Sequence, residues 1–188
     1  SYGYQGFTCY KDFFCLDPTD YEVKYQIIPK KIVLIGKGYE NSKKEFSKKI
    51  NLVQGKALRF HYMNYKSLSK NYKNTILVVL TAIESINNSI WNTILNSEIL
   101  RKELVLIKTH PIINREKFFL NKKIPKNFVI INSSFEKVVK KAKIVVTAGA
   151  SSTIIESMAN GAFVLIPFNN RFDELSLNSV KIEKTFYK

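Results

Sequence analysis

The sequence predicts an α/β protein with a doubly wound parallel sheet, on three observations. Short apolar runs recur at residues 31–36 (KIVLIG), 57–62 (ALRFHY), 75–81 (TILVVLT), 104–109 (LVLIKT), 128–132 (FVIIN), 144–147 (IVVT) and 162–166 (AFVLI). Most are unbroken β-branched and aliphatic stretches rather than alternating ones, the pattern of strands buried on both faces. Helical segments fill the gaps, and strand–helix alternation in that order is how a parallel sheet is wound.

The helical segments have their own signals. Residues 84–100 place Ile86, Ile90, Ile94 and Leu95 on one face, with Trp91 on its flank. Ser133 and Glu136 open residues 135–142 as a capping box, with Val138 and Val139 facing inward. Gly36 and Gly38 bracket Lys37 after the first run; without the third glycine of a dinucleotide fingerprint they read more simply as a turn after a strand. Residues 1–25 are rich in Tyr, Phe and Asp without a clear period, and residues 63–74 (MNYKSLSKNYKN) are polar and linker-like. A boundary near residue 70 follows.

At 188 residues the chain has the length of one domain, or of one domain and part of a neighbour. It begins at Ser1 on a loop-like SYGYQG and reads as a piece of a longer protein. An apolar fraction of 45% suffices for a core. The longest apolar runs, at 76–80 and 162–166, fall far short of the roughly 20 residues that cross a bilayer. The net charge of +15 invites a nucleic-acid partner, but only four of the 30 cationic residues are Arg (Arg59, Arg101, Arg115, Arg171). Base and phosphate readers favour the Arg fork, and the lysines are mostly scattered, so no specific nucleic-acid binding is expected. Non-specific attraction to anionic lipid is compatible with that charge. Cys9 and Cys15 have neither CxxC spacing nor a nearby His, and read as idle or buried thiols of a cytosolic protein. With His61 and His110 the only histidines, no histidine-based metal centre is expected, and no cofactor.

Two segments carry candidate chemistry. Lys108-Thr109-His110-Pro111 directly follows an apolar run, and ligands of open parallel sheets sit beyond the carboxyl ends of strands. Pro111 restricts His110 to an extended backbone. A cation and an imidazole there suit a phosphate; equally, the histidine ends a strand and bonds a nearby carbonyl. Both readings stand. The second segment is TAGASSTIIESMANGAFVLIP, residues 147–167: a strand end, a small-residue turn at 148–150, three hydroxyls (Ser151, Ser152, Thr153) and a short helix. Thr153 and Glu156 fit a capping box. Alternatively Ser152 and Glu156, one turn of about 5.4 Å apart, suit a phosphate at the helix terminus and a ribose beside it. Ile154, Ile155, Met158 and Ala159 are then the packed face, and Gly161 supplies the left-handed residue that ends the helix.

KTHP after a strand, then a small and hydroxyl-rich turn running into SSTIIESMANGAFVLIP, resembles the C-terminal nucleotide-sugar-binding domain of GT-B fold glycosyltransferases. The nearest likeness is to bacterial surface-carbohydrate enzymes: polysialyltransferases, capsule transferases using CMP-sugars, and CDP-glycerol glycerophosphotransferases. It spans roughly residues 27–170 and is strongest over 104–167. The resemblance implies a Rossmann-like domain over residues 71–188, preceded at 1–70 by the end of an N-terminal domain and a linker. It implies that Lys108, His110, Pro111, Gly149, Ser151, Ser152 and Thr153 hold the donor's phosphate and cytidine-type nucleotide, that Glu156 binds the ribose, and that Lys108 and His110 stabilise the leaving phosphate catalytically. Retaining members carry a second glutamate eight positions before the ribose one; that position is Ala148 here, which points to inversion. The general base normally comes from the N-terminal domain. The implied partners are a nucleotide-sugar donor and a saccharide or lipid-linked acceptor, in the cytoplasm or peripherally at the inner membrane face. Sugar-nucleotide 2-epimerases share the fold but begin this helix with glutamates, unlike AGASSTIIES. A glycerophosphotransferase of the same fold and a non-enzymatic basic binding module are the other readings.

Overall fold

A computed structural model of the chain describes residues 1–6, 17–61, 75–149 and 151–167. These residues form an α/β fold with two all-parallel sheets, each in its own compact unit. The expected boundary near residue 70, and Cys9 and Cys15, lie outside the described residues.

The first unit is a three-stranded sheet of β1 (Tyr2–Tyr4), β2 (Lys31–Leu34) and β3 (Leu52–Gln54), in that order. Helix α1 (Asp20–Lys24) opens with a complete capping box between Thr19 and Glu22. The Thr19 backbone N–H, and after it the Thr19 hydroxyl, hold the Glu22 carboxyl below its ordinary pKa. A depressed carboxyl stabilises the fold above its unfolded pKa, so this cap weakens as pH falls through the lowered value. Helix α2 (Glu40–Lys43) follows the turn at Gly36–Gly38, where the sequence expects one. Ile32, Leu34, Tyr39 and Ile50 form the core of this unit. Lys43 is buried beside them, its Nζ 2.7 Å from the Asp17 carboxylate, with side-chain exposures of 2% and 6%.

Two expectations fail in this unit. The run expected as a strand at 57–62 is not one over its described residues 57–61: Leu58–Phe60 is a 3-10 turn, with Phe60 N–H bonded to the Ala57 carbonyl and Phe60 buried. The strand lies just before it, in β3, at three residues too short to signal itself. Gly55 then lets the chain pass Val33, since a Cβ there would lie 2.3 Å from Val33 Cγ1. The unpatterned opening of the chain likewise hides β1, where Tyr4 hydroxyl bonds the Lys56 carbonyl at 2.9 Å.

The second unit is a Rossmann-like sheet of β4 (Thr75–Val79), β5 (Val105–Lys108), β6 (Phe128–Ile130), β7 (Ala142–Val146) and β8 (Phe163–Leu165), ordered β6-β5-β4-β7-β8. Alternation sorts its side chains by face. Ile76, Val78, Val105, Ile107 and Val146 share one core with α3 (Glu84–Asn96) and α4 (Arg115–Phe119). Leu77 and Val145 share the other with Val138 and Val139 of α5 (Phe135–Val139). Helices on both faces make the sheet doubly wound. Helix α6 (Thr153–Ala159) connects β7 to β8, which run outward in the opposite direction to β4-β5-β6; a right-handed crossover puts it on the α5 face.

Helix α3 buries Ile86, Ile90 and Ile94 as its period predicts, and also Trp91, 2% exposed, edge-on to Phe119 and Phe128 at 5.3 and 6.0 Å. The Ser133–Glu136 capping box does not form. Ser134 takes the N-cap place without a side-chain bond, and Glu136 pairs with Lys140 one turn along at 3.3 Å. Among the described residues no helix is long and apolar enough to cross a membrane.

Candidate functional site

Parallel strands deliver all their exits to one edge, and the strand order decides which exits are neighbours. From β4 the chain runs outward through β5 to β6, then crosses back to β7 and β8 on the other side. The order therefore reverses between β4 and β7, and ligands of such sheets lodge in the crevice at that switch point.

The exit of β4 is rigid. Asn87, fully buried on the first turns of α3, accepts from the Thr81 N–H at 2.7 Å through Oδ1 and donates to the Thr81 carbonyl at 2.9 Å through Nδ2. The Thr81 hydroxyl donates to the same Oδ1 at 3.2 Å. Leu80 N–H bonds the Lys108 carbonyl at 2.9 Å, fastening this exit to the next.

At the exit of β5, Lys108 is the last strand residue and its Nζ donates to the Ser133 carbonyl at 2.9 Å, bridging to the loop after β6. The plainer reading of the histidine expects a bond to a nearby carbonyl; instead His110 Nδ1 accepts from the Ile112 N–H, within its own turn, at 3.3 Å. That bond places the proton of the neutral ring on Nε2, which makes the outer nitrogen a donor suited to an anion. Pro111 is exposed in the turn that follows. Arg115, at the start of α4, donates to Asn132 Oδ1 and so ties α4 to the exit of β6.

The exit of β7 departs from expectation in detail. Thr153 does not cap α6. Ser152 holds the N-cap place with dihedrals already helical (φ −58°, ψ −22°), and Ser151 Oγ accepts from Thr153 N–H at 3.2 Å. A capping box centred on Thr153 is therefore absent, while Glu156 N–H bonds the Ser152 carbonyl, which sets those two residues one turn apart. The packed face is also different: Ile154, Glu156 and Ser157 are buried, and Met158 is 38% exposed. Ser157 tolerates burial because its hydroxyl donates back to the Thr153 carbonyl at 2.6 Å. Glu156 thus sits on the inner side of the helix, 8% exposed. Gly161, at φ 76°, ends the helix as its sequence position predicts. Its N–H bonds Met158 and that of Ala162 bonds Ser157, the paired bonds of a Schellman turn.

Register brings the two motifs to one level. Lys108 pairs with Val79 of β4, and Val146 pairs with Val78, so Thr147 follows level with Val79 on the other side. Lys108 and Thr147 therefore flank the end of β4, about 10 Å apart across two strand spacings, and by alternation both lie on the α5 face. Gly149, Ser151 and Ser152 follow Thr147 on the same edge, whereas Ala148 packs into the α3-side core and offers nothing to a ligand. Three contributors escape the sequence reading. Asn87 passes for a polar residue of an amphipathic helix, and the Thr81 turn becomes central only once the strand order is known. The third is Thr147, whose hydroxyl is fully buried without a hydrogen-bond partner among the described residues.

An orphan hydroxyl costs folding free energy that an isosteric methyl does not. Thr147→Val is expected to raise stability by roughly 1 kcal/mol, read as a higher Tm. A lower Tm shows that the hydroxyl has a partner. No protein-family profile matches this chain, and no curated protein is detectably similar to it in sequence.

Proposed function

We propose that the chain is the donor-binding half of an inverting glycosyltransferase of GT-B fold, using a cytidine-nucleotide sugar, CMP-sugar foremost, in bacterial surface-polysaccharide assembly. The register that sets Lys108 and Thr147 at one level on either side of the switch point carries this reading, because the two motifs of the resemblance meet there. The donor's phosphate lies against the Lys108 ammonium, the His110 Nε2–H and the hydroxyls of Ser151 to Thr153, and its ribose reaches toward Glu156. An acceptor hydroxyl attacks the anomeric carbon as the bond from that carbon to the phosphate oxygen breaks. The nucleoside phosphate leaves with the electron pair, and the acceptor's proton passes to a base supplied from outside this domain. Lys108 and His110 act by stabilising the charge that develops on the leaving phosphate, the kind of preorganised contact that strengthens in the transition state.

Calorimetric titration with CMP, CDP, UDP and GDP tests this directly. Cytidine nucleotides are expected to bind best; a well-folded sample silent to all four refutes the donor site. Glu156→Gln is expected to weaken cytidine-nucleotide binding more than about tenfold, roughly 1.4 kcal/mol, with little change in Tm. A lower Tm with unchanged binding makes Glu156 a packing residue.

A further inference from the structure

We infer that the amino-terminal edge of the five-stranded sheet, at the opposite end of the strands from the candidate site, docks on an anionic lipid bilayer. Parallel strands gather their entrances at one edge just as they gather their exits at the other. The entrance to β5 is residues 97–104 and the entrance to β6 is residues 120–127. Asn127 joins the two, since its Nδ2 donates to the carbonyls of Arg101, at 3.0 Å, and Glu103. Its own carbonyl accepts from Val105 N–H at 3.0 Å.

On this joined surface four large apolar side chains stand in water. Ile99 and Leu120 are 73% and 77% exposed, Leu104 is 49% and Ile124 is 37%. Single exposed leucines are ordinary, but four on two linked entrances are a patch. On the same two entrances Arg101, Lys102, Lys123 and Lys126 are exposed, four cations to the two exposed carboxylates of Glu98 and Glu103. The entrance to β7 adds exposed Lys141 and Lys143. Two further lysines nearby are already engaged: Lys122 donates to the Phe118 carbonyl at 2.9 Å, and Lys140 pairs with Glu136.

Interleaved apolar and cationic groups match one chemistry. Leucine and isoleucine enter the boundary between headgroups and acyl chains, while long cationic stems bring their charges to the headgroup level. Anionic lipid supplies the complementary charge. Nucleic acid satisfies the lysines and leaves the four apolar side chains idle, so a bilayer is favoured. Docking by this edge leaves the strand exits at the far side of the sheet. The inference is independent of the nucleotide reading, because vesicle binding and nucleotide binding are measured separately and either can fail alone.

Sedimentation of the full chain with vesicles tests it. The chain is expected to bind phosphatidylcholine vesicles containing about one-third phosphatidylglycerol, to release them as salt rises, and to ignore phosphatidylcholine alone. Ile99→Ser combined with Leu120→Ser is expected to weaken binding at least tenfold with an unchanged melting curve. Lys123→Gln with Lys126→Gln should weaken it too, whereas Lys48→Gln with Lys49→Gln, an equal loss of charge on the other unit, should not. Failure to bind anionic vesicles overturns the inference, and so does undiminished binding by the serine variant. Equal affinity for duplex DNA, lost only in the lysine variants, assigns the edge to polyanions instead.

Discussion

Lys43→Met is expected to destabilise the three-stranded unit by about 3–5 kcal/mol, the usual cost of removing one partner from a buried ion pair. The ammonium leaves, and the Asp17 carboxylate, 6% exposed, remains in the core without its counter-charge. Whole domains are stable by only about 5–15 kcal/mol, so this loss takes a large share. Hydrogen exchange gives the local readout: protection of the β2 and β3 amides should collapse while that of β4, β5 and β7 persists. The companion variant distinguishes charge from packing. Lys43→Met with Asp17→Leu removes both charges and fills similar volume, and such replacements are often neutral or stabilising. Recovery of most of the lost protection is therefore expected. If the single variant stays within about 1 kcal/mol of the parent, water reaches the pair and the burial is only apparent.

The ion pair also shows why the first unit was the harder half to read. Nothing in a polar stretch such as Asn41–Lys44 announces that one lysine turns inward, because its partner lies more than twenty positions away. The strands there are three or four residues long, and β1 and β3 are too brief for any period to emerge. ALRFHY misleads for the opposite reason: it has strand composition but sits where the chain must turn, and the i+3 bonds of a 3-10 turn win. In the second unit the signals are long and consistent. Ile76, Leu77, Val78, Val105, Ile107, Val145 and Val146 are buried, with Val79 and Leu106 partly buried beside them, so both faces are covered and unbroken apolar runs are what a parallel sheet requires. Composition, period and turn chemistry agree there, and the fold is legible.

For the candidate site, legibility stops at the edge of each motif. Sequence position alone puts Lys108 and His110 after one strand and the hydroxyl turn after another, because exits follow strands. What it lacks is the strand order. Only pairing reveals that β4 lies between the two motifs and that its exit is the third wall. Local spacing misleads at α6 as well. Thr153 and Glu156 have capping-box separation, yet Ser151 already serves the Thr153 amide, so the pattern is present and the bonds are not. A capping motif is a statement about four residues; which of them begins the helix is settled by the chain that leads in.

The β4 exit yields the last large effect. Asn87→Leu keeps the volume of the side chain but leaves the Thr81 N–H and carbonyl without the partners they now have at 2.7 and 2.9 Å, while the Thr81 hydroxyl keeps the Ile83 carbonyl as its acceptor at 3.4 Å. Thr81 is half-buried, so the two lost bonds are expected to cost about 1–3 kcal/mol together. The rest of α3 should survive, since Ile86, Ile90, Trp91 and Ile94 still hold it to the sheet. The damage is therefore directional: exchange at the Thr81 and Ile83 amides should rise well before the sheet opens, and cytidine-nucleotide affinity should fall with it if the switch-point crevice is the binding site. Unchanged exchange at Thr81 means that water replaces the asparagine and the clamp is dispensable. Fast exchange with undiminished nucleotide binding places the ligand on the β5 and β7 exits alone, with the β4 turn as scaffold.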